Sequence, residues 1–206
     1  MSGPVQRITR SAVLELKDEQ VVVNEAYIFL DEKRLLLAAE LLRQLGLYQQ
    51  LNNKLDALHA EAKEAMQSAV MFHGLDGLQV YPTAQLQGDA FRQETRNFMG
   101  VTLVETVLST ESVEHKRSAT TYPSGKADNC RKLFSDIVVR SAELAGLSGN
   151  LHRLLTEYRL TERRSRALEN VILPEIEQNL REMSLHLEEL DLEDAIRVHL
   201  QSGKQR

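Results

Sequence analysis

The stretch from Leu151 to Leu200 reads LHRLLTEYRLTERRSRALENVILPEIEQNLREMSLHLEELDLEDAIRVHL. Its apolar residues recur as Leu151, Leu155 and Tyr158, then Leu168, Ile172, Ile176, Leu180, Met183, Leu187 and Leu190. Steps of three and four set them along one side of an α-helix, while Glu, Arg and other polar neighbours wet the opposite side. No Gly interrupts the run. A single seam sustained over this length calls for a partner helix rather than a broad core.

The beginning of the chain offers that partner. After a short loose arm over residues 1–8, Thr9 or Ser11 can cap a helix. Leu14, Val21, Ile28, Leu35 and Leu42 then fall at intervals of seven, the repeat of a coiled coil. Beyond them the seam shifts to Leu45, Tyr48, Leu51, Leu55, Leu58, Ala62, Met66 and Ala69, with Gly46 as a point where a local bend is allowed. A helix from residue 9 to 72 is roughly 95 Å long, which argues against a compact bundle.

The middle differs in kind. Gly74, Gly77, Gly88, Gly100, Gly125, Pro82 and Pro123 punctuate it. Leu78 to Tyr81 reads as a short strand closed by Pro82, and Phe98 to Leu108 is rich in β-prone residues. Glu111 to Lys126 is polar and turn-rich. A block of about 55 residues is near the lower limit for a core of its own, so it reads as a small head with a β-hairpin. Asp128 or Asn129 can cap the second long helix, which carries Leu133, Ile137, Val138 and Leu144. Gly146-Leu147-Ser148-Gly149 reads as a weak point or break, and Gly203 marks the end.

The expected fold is therefore all-α: a long antiparallel two-helix coiled coil, or helical hairpin, with a small central insertion containing a β-hairpin. Residues 1–72 form the first long helix, 73–128 the Gly- and Pro-punctuated head, and 129–206 the second long helix and tail.

Composition agrees. Across 206 residues the aromatic content is 5% and there is no Trp, which suits long helices better than a mixed core. The net charge of −5 argues against a general nucleic-acid binder. No apolar run approaches ~18 residues, so no direct membrane insertion is expected. Met1-Ser2-Gly3-Pro4 lacks the apolar core of a signal peptide. Cys130 stands alone, which excludes an internal disulfide and suits a reducing cytoplasm.

Motifs for chemistry are missing. Tyr122-Pro123-Ser124-Gly125-Lys126 invites a phosphate-loop reading, but Thr120 stands where its first Gly belongs and Ala127 where a Ser or Thr should bind Mg²⁺. His59, His73, His115, His152, His186 and His199 lack metal-site spacing. Glu188-Glu189 lies beside the seam on a wet face. No catalytic residue, no cofactor and no metal site is expected.

The segment Tyr158 to Pro174 adds a resemblance. Arg163, Arg164, Ala167, Leu168, Glu169, Val171, Ile172 and Pro174 resemble the second long helix of the D-subunit family, the central rotor shaft of V-type and archaeal A-type rotary ATPases. That family carries a paired arginine, a spacer, Ala-Leu-Glu and an apolar run ending in Ile-Pro; Leu173 here separates Ile172 from Pro174. Thr9-Arg10, Leu14 to Lys17, Leu30, Lys33 and Arg34 are similar to its opening, and Asn97 to Val101 to its central Gly-Val element. The family's densely basic stretch after the opening is replaced by Asp18-Glu19-Gln20-Val21-Val22-Val23, as in a divergent bacterial branch. The γ shaft of F-type enzymes is the nearest structural competitor, but its insertion is much larger.

The resemblance implies a non-catalytic rotor subunit that couples ATP hydrolysis or synthesis to ion translocation. Its implied partners are the A and B subunits of the catalytic ring, a small F-type stalk subunit and a membrane-sector base subunit. Its implied place is the cytoplasmic side of a membrane, as a peripheral part of the complex. The coupling ion and the direction of operation belong to other subunits. Arg163, Arg164 and Arg166, with a kink at Pro174, are the expected partner contacts. The alternative from another class is a coiled-coil scaffold or tether unrelated to ATPases, which explains the heptads but not the Ala-Leu-Glu to Pro segment.

Overall fold

The computed structural model describes residues 9–81, 91–108 and 124–203. Helix α1 spans Arg10–Leu78, strands β1 and β2 span Phe91–Phe98 and Val101–Leu108, and helix α2 spans Gly125–Ala167. A π-helical turn, Leu168–Ile172, leads into α3, Leu173–Gly203. This is the all-α helical hairpin with a two-stranded insertion. The chain divides into two compact units, Leu37–Tyr158, and Met1–Leu36 with Arg159–Arg206.

In the second of these, the terminal unit, Thr9 caps α1. Its Oγ1 accepts from the Ala12 N–H at 3.2 Å, as expected of a Thr at that position. Val13 is buried, and Leu16, Gln20, Val23, Tyr27, Leu30 and Arg34 follow it half-buried at steps of three and four. The expected row differs. Leu14, Val21, Ile28 and Leu35 are all exposed, because they sit one position beyond the buried row and face outward. Arg10 Nη2 donates to both carboxylate oxygens of Asp191, at 2.7 and 2.9 Å, which joins the start of α1 to the later part of α3. The pair is exposed and contributes little stability.

In α2 and α3 of this unit the most buried residues are small. Thr161 and Ser165 are almost fully buried, Leu168 is half-buried, and Ile176 is buried. Past the π turn the row continues through Leu180, Met183 and Leu187, half-buried. Ile172 and Leu190 were expected in this seam but are exposed. The reason for Ile172 is the π turn, which runs from Leu168 to Leu173: the Leu173 N–H donates to the Leu168 carbonyl. It lets the row step by five, from Leu168 to Leu173, and then resume. Pro174 cannot donate to the Asn170 carbonyl, and a widened turn before it relieves the ring clash with that carbonyl.

In the central unit, Leu37 is fully buried and leads a row through Leu41, Gln44, Tyr48, Leu51, Leu55, Leu58, Ala62, Ala65 and Ala69. Most of the expected residues lie in it; Leu42, Leu45 and Met66 do not, being exposed. Gly46 keeps helical angles, so α1 does not bend there; the non-helical residue is Gly74, at φ 72°. Leu55, Ala62 and Ile137 form one core cluster, backed by Leu58, Leu133 and Leu144. Leu37, Val101, Leu103 and Leu154 form another, which seats the hairpin on both helices.

Three further expectations change. Leu78 to Tyr81 is not a strand; Leu78 ends α1, and the Tyr81 N–H closes a turn onto its carbonyl at 3.1 Å. Strand β1 pairs antiparallel with β2, Phe98 opposite Val101. The connection is Met99-Gly100, both at positive φ, which fits the primed turns that match strand twist. Helix α2 begins before Asp128: Ser124 caps it, its Oγ accepting from Ala127 N–H at 3.4 Å and its carbonyl from Asp128 N–H at 3.0 Å. The Gly146 to Gly149 segment is continuous helix. A Cβ on Gly146 would fall 2.6 Å from Thr106 Oγ1 and 3.0 Å from Thr106 Cβ, so this Gly serves close approach of β2 rather than a break.

Among the described residues, no helix is long and apolar enough to cross a membrane. The Glu111 to Pro123 part of the expected polar segment lies outside them.

Candidate functional site

The densest polar cluster lies where α1, the hairpin and α2 meet in the central unit. Glu40 faces inward on α1 and is buried although charged. Arg43, one helical turn on, grips it with two parallel bonds: Nε donates to Oε2 at 2.8 Å and Nη2 to Oε1 at 2.6 Å. Gln44 Nε2 adds a bond to Oε1 at 2.9 Å, and Arg96 of β1 adds one at 3.1 Å. The Arg43 hydrogen bonds, then Gln44 and the charge of Arg96, outweigh burial and hold the Glu40 carboxyl at about 2. The same pairing raises Arg43 further above its ordinary value. Glu40 is thus a fixed anion that ties β1 to α1, since a bidentate guanidinium contact sets both distance and orientation. Arg96 also lies over the Phe98 ring at 5.9 Å.

Asn150 makes the second tie. Its Oδ1 accepts from Val104 N–H at 2.7 Å and its Nδ2 donates to Val104 C=O at 2.8 Å. Between the ties lies an open cleft of about 780 Å³, lined among others by Arg43, Lys54, Glu94, Glu105, Glu143 and Asn150. Both acidic and basic groups line it. Among the described residues no group of three His, Cys, Asp or Glu is disposed to hold a metal ion. Glu40 cannot act as a general acid near neutral pH, because it stays ionised. The arrangement fixes a hairpin to a helix pair.

A third contact closes the far end of this unit. His73 Nε2 and Ser124 Oγ are hydrogen-bonded at 2.6 Å, and Lys126 Nζ stands 4.6 Å from the Phe72 ring centre. Lys126 of the rejected phosphate-loop reading is therefore a helix residue covering an aromatic ring. Cys130 is buried with its Sγ 3.7 Å from Met66 Sδ, and burial pushes its thiol up, away from the reactive thiolate.

The expected contact residues lie in the terminal unit. Arg163, Arg164 and Arg166 are exposed in the last turns of α2; Arg163 and Arg166 lie on the side away from buried Thr161 and Ser165, and Arg164 flanks them. Arg166 Nη2 pairs with Glu162 Oε1 at 2.6 Å. Pro174 is exposed in the first turn of α3.

The sequence model of one family, the ATP synthase D subunit, matches residues 12–201. The chain belongs to the ATP synthase D-subunit family. Relatives within it cover nearly the full length on both sides. The V-type ATP synthase D subunit of Thermotoga neapolitana is 25% identical over 191 residues, covering 92% of this chain and 93% of the relative. The A-type ATP synthase D subunit of Thermococcus sibiricus is 27% identical over 196 residues, covering 92% and 90%. That of Methanosarcina mazei is 24% identical over 201 residues, covering 96% of each. The hairpin and all but the outermost two residues of each helical arm thus fall within the span that the family matches.

The ties at Glu40 and Asn150 were not among the residues singled out from sequence. Glu40 carries a faint signal, since it shares one helical turn with Arg43 and Gln44. The ties of Arg96 to Glu40 and of Asn150 to Val104 carry none, because each joins residues more than forty positions apart.

Proposed function

We propose that this member of the D-subunit family is the non-catalytic central-stalk rotor of a V/A-type rotary ATPase, coupling ATP hydrolysis or synthesis in the A/B ring to ion translocation. The observation that carries the reading is the antiparallel helix pair with a three-four buried row in each unit, in a chain that the family matches from residue 12 to 201. Paired helices resist twisting and can be gripped at separated points. A shaft that contacts three ring interfaces unequally biases their states through differential contact energy, which is all that torque transfer asks of a non-catalytic part. The proposed partners are the A and B subunits, a small F-type stalk subunit and the membrane-sector base subunit, on the cytoplasmic side of the membrane. Arg163, Arg164 and Arg166 are proposed ring contacts, and the π turn before Pro174 a source of the shaft's asymmetry. The division at 72 and 128 into shaft, head and shaft is the proposed functional division, with the head modulating hydrolysis or contact with the stalk base.

The test is reconstitution. The catalytic A and B subunits with the stalk and membrane sector should pump ions on ATP addition only when this chain is present. Ion transport of undiminished yield per ATP without it would overturn the reading, and so would nucleotide binding by the purified chain alone.

A further inference from the structure

Glu94 of β1 stands directly opposite Glu105 of β2, and both line the cleft of the central unit. Like charges directly opposite each other weaken a strand pair, so these two carboxylates oppose the hairpin that carries them. Neither makes an ion pair or hydrogen bond with a described residue. The basic groups nearby are engaged elsewhere. Arg43 feels the charge of Glu105, but its bonds go to Glu40, as does that of Arg96.

A third acceptor belongs to the same lining. Gln44 is 5% exposed, and its Nε2 donates to Glu40 Oε1. The reverse orientation of the amide would set two acceptors together, so the carbonyl is the end left over. Among the described residues, Gln44 Oε1 is the only buried side-chain oxygen or nitrogen without a partner. Two uncompensated carboxylates and an orphaned carbonyl call for a cation that brings its own N–H donors. A metal ion does not fit, since no three His, Cys, Asp or Glu among the described residues are disposed to hold one. The cleft, at about 780 Å³, has the size of a small-molecule site. Leu47, Leu51 and Leu147 also line it and offer apolar surface to a methylene chain.

We propose that this cleft binds a linear aliphatic diamine or polyamine. One ammonium sits between Glu94 and Glu105, the methylene chain lies against the leucines, and a second N–H donor satisfies Gln44 Oε1. The bound cation relieves the cross-strand repulsion and so holds the hairpin more firmly. Lys54 lines the same cleft without an ion pair among the described residues, and its charge opposes the ligand.

Isothermal titration calorimetry of the full-length chain with spermidine, at an ionic strength held constant with KCl, tests this. Spermidine should bind at a single site and raise the melting temperature. n-Butylamine, which has one ammonium on a similar stem, should bind at least about tenfold more weakly. Glu94→Gln with Glu105→Gln should melt higher than the parent without ligand, because the like-charge pair is gone, and should bind spermidine at least about tenfold more weakly. A purely structural pair would change the melting temperature alone. Lys54→Gln should bind about threefold more tightly. All three substituted residues are exposed, and circular dichroism checks that each variant keeps its helicity. No binding of spermidine at constant ionic strength, or binding that the double variant retains, overturns the proposal. n-Butylamine binding as tightly as spermidine would assign the site to a lysine side chain of another protein instead, and also overturns it.

Discussion

Asn150 of α2 holds one residue of the hairpin, Val104, by both of its backbone groups. The amide accepts from the N–H at 2.7 Å and donates to the C=O at 2.8 Å, as the peptide of a neighbouring strand would. Asn150 is 5% exposed, so little water is at hand to replace it. The hairpin has two strands, and a lone two-stranded ribbon is marginal in water. This side chain and the Glu40 cluster stand in for the strands that are missing.

Asn150→Leu removes both bonds and leaves two backbone groups unpaired. It should cost about 2–3 kcal/mol of stability and expose the Val104 amide to hydrogen exchange. Asn150→Asp keeps the acceptor but turns a carboxylate oxygen toward the Val104 carbonyl, and should cost at least as much. Exchange rates at Val104 unchanged from the parent would show the hairpin to be held by its apolar contacts instead.

Glu40 makes stability depend on acid. Its folded value, about 2, lies below the ordinary 4.5, so the folded state holds the proton less tightly than the unfolded state. The resulting stabilisation is present above pH 4.5 and is lost as the pH falls toward 2. Glu40→Gln should lower stability at pH 7 by on the order of 2–3 kcal/mol. It should also flatten the loss between pH 4.5 and 2 relative to the parent, as read from urea midpoints. Parallel pH profiles for the two proteins would contradict the assignment.

Gly146 is helical, so helix propensity alone predicts that Gly146→Ala gains about 1 kcal/mol. The new methyl would meet Thr106 Oγ1 at 2.6 Å, and the expected outcome is a lower melting temperature. Thr106→Gly in the same chain should then restore most of the loss that Gly146→Ala causes, a non-additive result that marks direct contact. A melting temperature raised by Gly146→Ala alone would mean that the hairpin shifts freely.

Pro174→Ala restores a backbone donor in α3. Because the π turn already relieves the ring clash, the gain should be well below the ~3 kcal/mol of an ordinary interior proline. The π turn should persist in the variant, since the five-residue step of the buried row still requires it. Backbone chemical shifts of Leu168 to Leu173 that become α-helical would show instead that the proline alone makes the turn.

The sequence made the helix pair and its turn of direction legible, and it misled on which face of α1 points inward. Leu14, Val21, Ile28 and Leu35 outshine the true inner row, which contains Gln20, Tyr27 and Arg34. Arg34 is tolerated there because it is half-buried and pairs with Asp31. A seven-residue count reports a period and not a direction, so two rows one position apart compete on hydrophobicity alone, and the outward row wins. Thr161 and Ser165 were passed over for the converse reason: they are small and polar, but among the most buried side chains of the described residues. The ties at Arg96 and Asn150 depend on contacts far apart along the chain, which no local pattern encodes.

The five-residue step across the π turn bears on how such a chain changes length over its history. One residue inserted into an unbroken α-helix rotates everything beyond it by about 100° and turns the apolar face to solvent. Here one extra residue is taken up within the turn from Leu168 to Leu173, and Ile176, Leu180 and Met183 still face inward. Loss of that one residue between Leu168 and Pro174 would close the turn into ordinary α-helix with the same residues inward, so the length of the chain at this point is not tied to the match between its paired faces.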